Sequence, residues 1–268
     1  MALTENGTAF QTAGIEGAPV VVLIHGLGMT RATWDDIVPT LEQRFWVITY
    51  DLCGHGASAL PIVTPSLTVL SEQLKTLLDG LQVPQAALVG FSLGGMINRR
   101  FALDYPQRVN AMAVLNSPHE RSAEEQRLVE ERAVQTAAGG PASTIDATLE
   151  RWFTPEFRIE NPAKVAEVRA LVLANDADNY TKHRRILAEG VLELIRPNPA
   201  ITTPCLVMTC ANDSGSTPAM SEAIAAEITG SETLILPDLK HLGLIEKPAI
   251  FATAINDFFT RKLDLVGS

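Results

Sequence analysis

Residues 88–96, LVGFSLGGM, place one hydroxyl, Ser92, between an apolar run and a cluster of small residues. The central G-F-S-L-G fits G-x-S-x-G, a pattern in which a strand turns sharply into a helix and lifts a serine oxygen above the edge of a sheet. In such a turn a Cβ at Gly90 or Gly94 would collide with the neighbouring strand or helix. Five residues of this kind also arise by chance, so the flanks carry the weight. AALVGF before the serine reads as a strand, and GGMINRRFALDYP after it reads as a helix ending near Pro106. The bland alternative is a serine in an ordinary tight turn, which would need no partners elsewhere.

A serine hydroxyl is a weak nucleophile near neutral pH. A general base must take its proton, and a third group must orient that base. With an elbow of this type the expected chain order is serine, acid, histidine. Of the five histidines, His25 and His55 precede the serine in Gly-rich turns, and His119 and His183 fall in a helical stretch. Only His241 follows a late strand-like run, TLILP, and it is the expected base. The acid should follow the preceding strand, where PCLVMTC-AND supplies Asp213. Asp238 shares a loop with His241 and reads as a turn residue. Glu246 stands at the start of the last helix, where a carboxylate favours the dipole. Ser92, Asp213 and His241 in this order imply attack on a carbonyl carbon. The tetrahedral intermediate then needs two donors for its oxyanion, expected from the backbone N–H groups of Leu93 and of Leu27 in HGLG.

Positioning these groups requires a sheet. VVVLIH, FWVITY, AALVGF, AMAVLN, PCLVMTC and TLILP read as strands buried on both faces, and GTAFQTAG as an antiparallel edge strand. Helical patterns alternate with them: Leu67, Leu70, Leu74, Leu77, Leu78 and Leu81 recur at three- and four-residue spacings, and PAMSEAIAAEI and PAIFATAINDFF begin with proline. The alternation predicts an α/β fold with a mostly parallel sheet flanked by helices. It breaks between residues 118 and 199, where the text turns charged and helical, punctuated by GGPAS, TPEF and RPNPAITTP. We therefore expect a core of residues 1–117 and 198–268 with a helical cap, 118–197, inserted between them.

Composition excludes several classes. At 268 residues the chain can bury a substantial core, and no apolar run approaches the ~20 residues of a membrane span. A net charge of −10 without a basic cluster argues against nucleic acid; an anionic substrate would need a local cation in its pocket. The first residues lack the pattern of a secretory signal, which predicts a cytoplasmic protein. Cys53, Cys205 and Cys210 lack metal spacing and read as reduced thiols, Cys53 in a packing role. His25, His55 and Asp51 likewise lack the ligand spacing of a metal site, and the two histidines read as structural hydrogen-bonders. Met29, Trp34, Phe91, Trp152 and Leu242 are the expected pocket residues. Arg151, Arg184 and Arg185 read as solvated helix faces.

Taken together, HGLG, DLCGHGAS, GFSLGGM, AND and KHLGLIEKP stand in the order and spacing of the α/β-hydrolase superfamily, which the chain resembles over nearly its whole length outside the cap. ERWFTPEF, HRRILAEGVLELI and HLGLIEKP look like the 3-oxoadipate enol-lactonases and their relatives. The resemblance implies a metal-free hydrolase without cofactor, acting on a small-molecule ester or lactone: Ser92 attacks, His241 shuttles the proton, and Asp213 steadies the imidazolium. A C–C bond hydrolase of a vinylogous diketone would use the same triad, and a ligand-sensing binding protein would use the same fold. Two features depart from the usual pattern: Cys53 stands where D-x-R-G-H-G has arginine, and Arg99 and Arg100 follow the elbow where relatives often have small or apolar residues.

Overall fold

The computed structural model describes residues 1–263; residues 264–268, the end of the expected core, lie outside the described residues. Among the described residues eight strands are present: β1 (Ala2–Leu3), β2 (Ala9–Gly14), β3 (Val20–Ile24), β4 (Trp46–Tyr50), β5 (Ala86–Phe91), β6 (Val109–Leu115), β7 (Cys205–Cys210) and β8 (Glu232–Leu236). They form one sheet in the order β1-β2-β4-β3-β5-β6-β7-β8. Only the β1–β2 and β2–β4 pairs are antiparallel. The central strands are continuous aliphatic runs because helices cover both faces; every residue of β5 and β7 is buried. Strand β8 departs from the expected double burial. It lies at the edge, and four of its five residues are partly or fully exposed. The GTAFQTAG segment is antiparallel as expected, but the two-residue β1 lies outside it.

The core helices are α1 (Val38–Leu41), α2 (Leu67–Gly80) and α3 (Leu93–Asp104), followed after the insertion by α9 (Pro218–Glu227), α10 (Gly243–Glu246) and α11 (Pro248–Lys262). Helix α2 starts where Ser66 Oγ accepts the Val69 N–H at 3.2 Å, and its leucine stripe is buried. Between β6 and β7 come α4 (Ala123–Gly139), α5 (Ile145–Trp152), α6 (Pro155–Glu160), α7 (Pro162–Leu173) and α8 (Ala177–Glu189). The TPEF segment, expected as a breaker, opens α6. Thr154 Oγ1 accepts the Phe157 N–H at 3.2 Å, and proline fits the first helical turn.

Three histidines fasten the insertion to the loops after β3 and β4. The rings of His25 and His55 lie 5.4 Å apart, and those of His55 and His183, on α8, 4.8 Å apart. His25 donates from Nδ1 to Gly26 O (2.8 Å) and accepts the Leu52 N–H at Nε2 (2.9 Å). That pattern uses one ring donor and one ring acceptor, which only a neutral imidazole provides. Burial lowers the pKa of all three, that of His25 from 6.5 to about 4.

Because the folded His25 binds its proton less readily than the unfolded one, acid favours unfolding. Stability contributed above pH 6.5 is lost as pH falls toward 4. For His25 alone the expected loss between pH 8 and pH 5 is about 2 kcal/mol. Urea unfolding midpoints across that range check it; a flat profile contradicts the neutral-imidazole arrangement.

Candidate active site

Ser92 caps α3 at the end of β5 with φ 56° and ψ −112°, a backbone conformation that side-chain-bearing residues rarely adopt. Two glycines make the turn possible. A Cβ on Gly90 would stand 2.2 Å from Gly94 O, and one on Gly94 2.1 Å from Ile24 O. The Ser92 N–H donates to Leu115 O (2.8 Å), while Ser92 O accepts from Ser117 Oγ (3.0 Å) and from the Gly95 N–H (3.0 Å).

The structure brings together the three residues picked from chain order. His241 Nε2 lies 3.2 Å from Ser92 Oγ, and His241 Nδ1 lies 2.6 Å from Asp213 Oδ2. An ionised carboxylate only accepts, so Nδ1 carries the proton and Nε2 is left as the acceptor for the serine O–H. Each group stands at the C-terminal end of a strand: Ser92 after β5, Asp213 after β7, His241 after β8. Asp238 is a turn residue at φ 60°.

The sequence reading missed Asn116, whose Nδ2 donates to Asp213 Oδ2 at 2.9 Å. Its signal was present, a polar residue closing the apolar run AMAVLN between the serine strand and the acid strand. Asp213 Oδ1 accepts the N–H groups of Gly215 (2.9 Å) and Ser216 (3.0 Å). Burial alone would raise the Asp213 pKa, but the adjacent His241 and the donors Asn116 and Gly215 outweigh it and hold the carboxyl below its usual range.

A pocket, partly open to solvent, lies over Ser92 and His241. Of the expected lining residues, Met29, Phe91 and Trp152 reach it. The Phe91 and Trp152 rings flank His241 with centroids 5.0 and 6.0 Å away. Leu27 lines it too, and Leu93 is the first residue of α3. Trp34 does not line it; it ends the 3-10 turn Arg31–Trp34 and turns fully into the core. Leu242 is also fully buried, and its N–H donates to Trp152 O at 2.9 Å.

The expectation of solvated arginines holds for Arg185, which is exposed and pairs with Glu189. It fails for Arg151 and Arg184, which line the pocket together with Arg121 and Arg132. Helices α5 and α8 turn these charged residues toward the pocket and away from bulk solvent. Glu246 stands at the entry to the last helix, as expected, and has a further role. Its carboxylate accepts the Thr154 N–H (2.8 Å) and the Thr154 hydroxyl (2.7 Å), tying α6 to the core.

Residues 19–248 match the alpha/beta hydrolase fold family. The chain belongs to that family. This α/β hydrolase is 28% identical over 253 residues to 3-oxoadipate enol-lactonase 2 of Acinetobacter baylyi, covering 94% of this chain and 92% of that protein. It is 29% identical over 248 residues to the (E)-2-((N-methylformamido)methylene)succinate hydrolase of the same organism, with 92% of each chain covered. The crystal structure of the enol-lactonase from Burkholderia xenovorans LB400 superposes with a TM-score of 0.86 at 28% identity, covering 94% and 96% of the two chains.

The two departures noted in the sequence have structural roles in this hydrolase. Arg99 is buried beneath the elbow, donating from Nε to Gly95 O (2.9 Å) and from Nη2 to Ser117 Oγ (3.2 Å) and Pro118 O (2.7 Å). Arg100 faces outward and pairs with Asp104 and Glu193. Cys53 Sγ sits 3.9 Å from His183 Nε2, and burial pushes its thiol up to about 11.

Asn116 acts on Asp213 rather than on substrate. Asn116→Ala is therefore expected to lower kcat on an aryl ester about tenfold, the scale of one hydrogen bond to a charged acceptor, with KM nearly unchanged. Steady-state kinetics separates the two parameters; an unchanged kcat contradicts the positioning role.

Proposed function

We propose that this chain is a serine hydrolase cleaving a small carboxylic ester or lactone through an acyl-enzyme, with an enol-lactone as the first substrate to try. One observation carries the reading. The chain Ser92 Oγ, His241 and Asp213 is hydrogen-bonded end to end on the floor of a solvent-connected pocket. Relatives of similar length named as an enol-lactonase and as a succinate-derivative hydrolase support it.

In the first half-reaction Ser92 Oγ bonds to the carbonyl carbon while its proton passes to His241 Nε2. Asp213, ionised and fixed by its donors, stabilises the imidazolium. The carbonyl oxygen becomes an oxyanion, received by the N–H groups of Leu93, at the positive end of α3, and of Leu27. The carbon–oxygen bond to the leaving group then breaks, and His241 returns its proton to the departing oxygen. Water repeats the sequence: its oxygen bonds to the acyl carbon, its proton passes through His241 back to Ser92 Oγ, and a carboxylic acid is released. In a lactone the leaving oxygen stays on the same molecule, so one ring-opened product results. Residues 118–197 act as the cap that recognises the substrate, over a core of residues 1–117 and 198–268.

Ser92→Ala should lower hydrolysis of p-nitrophenyl acetate and of an enol-lactone by at least about 10³-fold while the melting temperature holds. Activity within tenfold of wild type in that variant would sink the assignment of the nucleophile.

A further inference from the structure

The upper part of the pocket carries a charge opposite to that of the whole chain. Arg121, just before α4, Arg132 on α4, Arg151 on α5 and Arg184 on α8 line the same cavity as Ser92 and His241, in a protein of net charge −10. Among the described residues none of the four forms a salt bridge. Arg121 reaches the carbonyls of Leu187 and Ala188 and the Gln126 side chain, and Arg151 reaches Thr148 Oγ1 at 3.2 Å. The Nε atoms of Arg121 and Arg184 are buried without a partner, and Arg184 is only 6% exposed. Among the described residues the one carboxylate lining the cavity is Asp213, which already accepts from His241, Asn116, Gly215 and Ser216.

Four converging guanidiniums repel one another and lose water, a cost that disappears when an anion supplies the missing charge and acceptors. Burial pulls Arg121 and Arg151 down to about 10, which still leaves both charged near neutral pH. A single carboxylate offers about four lone-pair sites, fewer than the donors of four arginines, and one negative charge against four positive. Arg151 adjoins Trp152, whose ring flanks His241, so the cluster stands beside the reacting groups and not at a remote mouth.

We propose that the substrate is a dianion: an ester or lactone bearing, beyond its scissile carbonyl, either two carboxylates or one phosphate held by Arg121, Arg132, Arg151 and Arg184. The identity of the reaction rests on the hydrolase reading above; the dianion preference does not.

Isothermal calorimetry with glutarate, butyrate and inorganic phosphate, on wild type and on Ser92→Ala, tests it without turnover. Glutarate or phosphate is expected to bind at least tenfold more tightly than butyrate, less so as salt rises, and whichever binds tighter identifies the anionic group. Arg184→Gln should weaken that binding at least tenfold while raising the ligand-free melting temperature by about 2 °C, because an uncompensated charge is removed. Arg185→Gln, one residue along the same helix and exposed, should change binding less than twofold. Equal affinity for butyrate and both dianions overturns the proposal. If the dianion preference holds while Ser92→Ala still hydrolyses p-nitrophenyl acetate, the triad reading fails and this one stands.

Discussion

The backbone of Ser92 is the constraint on which the rest of the structure depends. A non-glycine residue at φ 56° and ψ −112° is strained by roughly 1–3 kcal/mol, and it persists only where its neighbours leave no alternative. Here the neighbours do so on every side. The absence of side chains at Gly90 and Gly94 lets α3 close against β3 and β5, and Leu115 O and Ser117 Oγ hold the serine's own amide and carbonyl. Arg99 extends the same network, because the guanidinium that bonds Gly95 O also bonds Pro118 O, and Pro118 lines the pocket. The strain that aims the hydroxyl is thus offset by contacts that also fix where the inserted helices leave the sheet.

Those helices are fastened to loops at the same end of the sheet. Glu246 holds Thr154, the Leu242 N–H holds Trp152 O, Asn179 Nδ2 donates to Gly54 O at 3.0 Å, and Asn175 Nδ2 donates to Gly28 O at 3.1 Å. Residues adjoining these anchors touch the site: Trp152 precedes α6 and flanks His241, and Met29 follows Gly28. The insertion is therefore positioned by the loops that carry the candidate catalytic groups. The separation between the arginines above and His241 below is set by short polar contacts that each match a donor with an acceptor.

Much of this was legible from residue types because the constraints are local. A buried parallel strand must be a continuous apolar run, and a tight elbow must have glycine where a Cβ would strike backbone, so β3 to β7 and the turn at Ser92 follow from short words of sequence. What was not legible depended on tertiary surroundings. A helix pattern separates apolar from polar faces, and a polar face turned into a capped cavity has the same pattern as one turned to water. Arg151 and Arg184 were for that reason read as solvated, while Arg185, one step round the helix, is. Trp34 and Leu242 failed in the opposite sense. Sequence proximity to the site does not say which way a side chain turns, and both turn into the core. Asn116 and Glu246 lie on segments that the pattern placed well, but their hydrogen-bond partners are far away in the chain.

The position of Cys53 bears on where charge recognition resides. In the turn DLCGHG, where the family resemblance leads one to expect arginine, a thiol stands 3.9 Å from His183 of α8. Burial raises the thiol to about 11 and lowers the imidazole, so both partners are neutral; a thiolate–imidazolium pair, the form needed for a second nucleophile, is disfavoured on both sides. The core loop therefore contributes packing at this point and no charge. Every arginine lining the pocket comes instead from the segment between β6 and β7. The division of labour that follows is physical: the C-terminal ends of the strands hold the candidate catalytic groups, and the inserted helices hold the arginines proposed to select by charge.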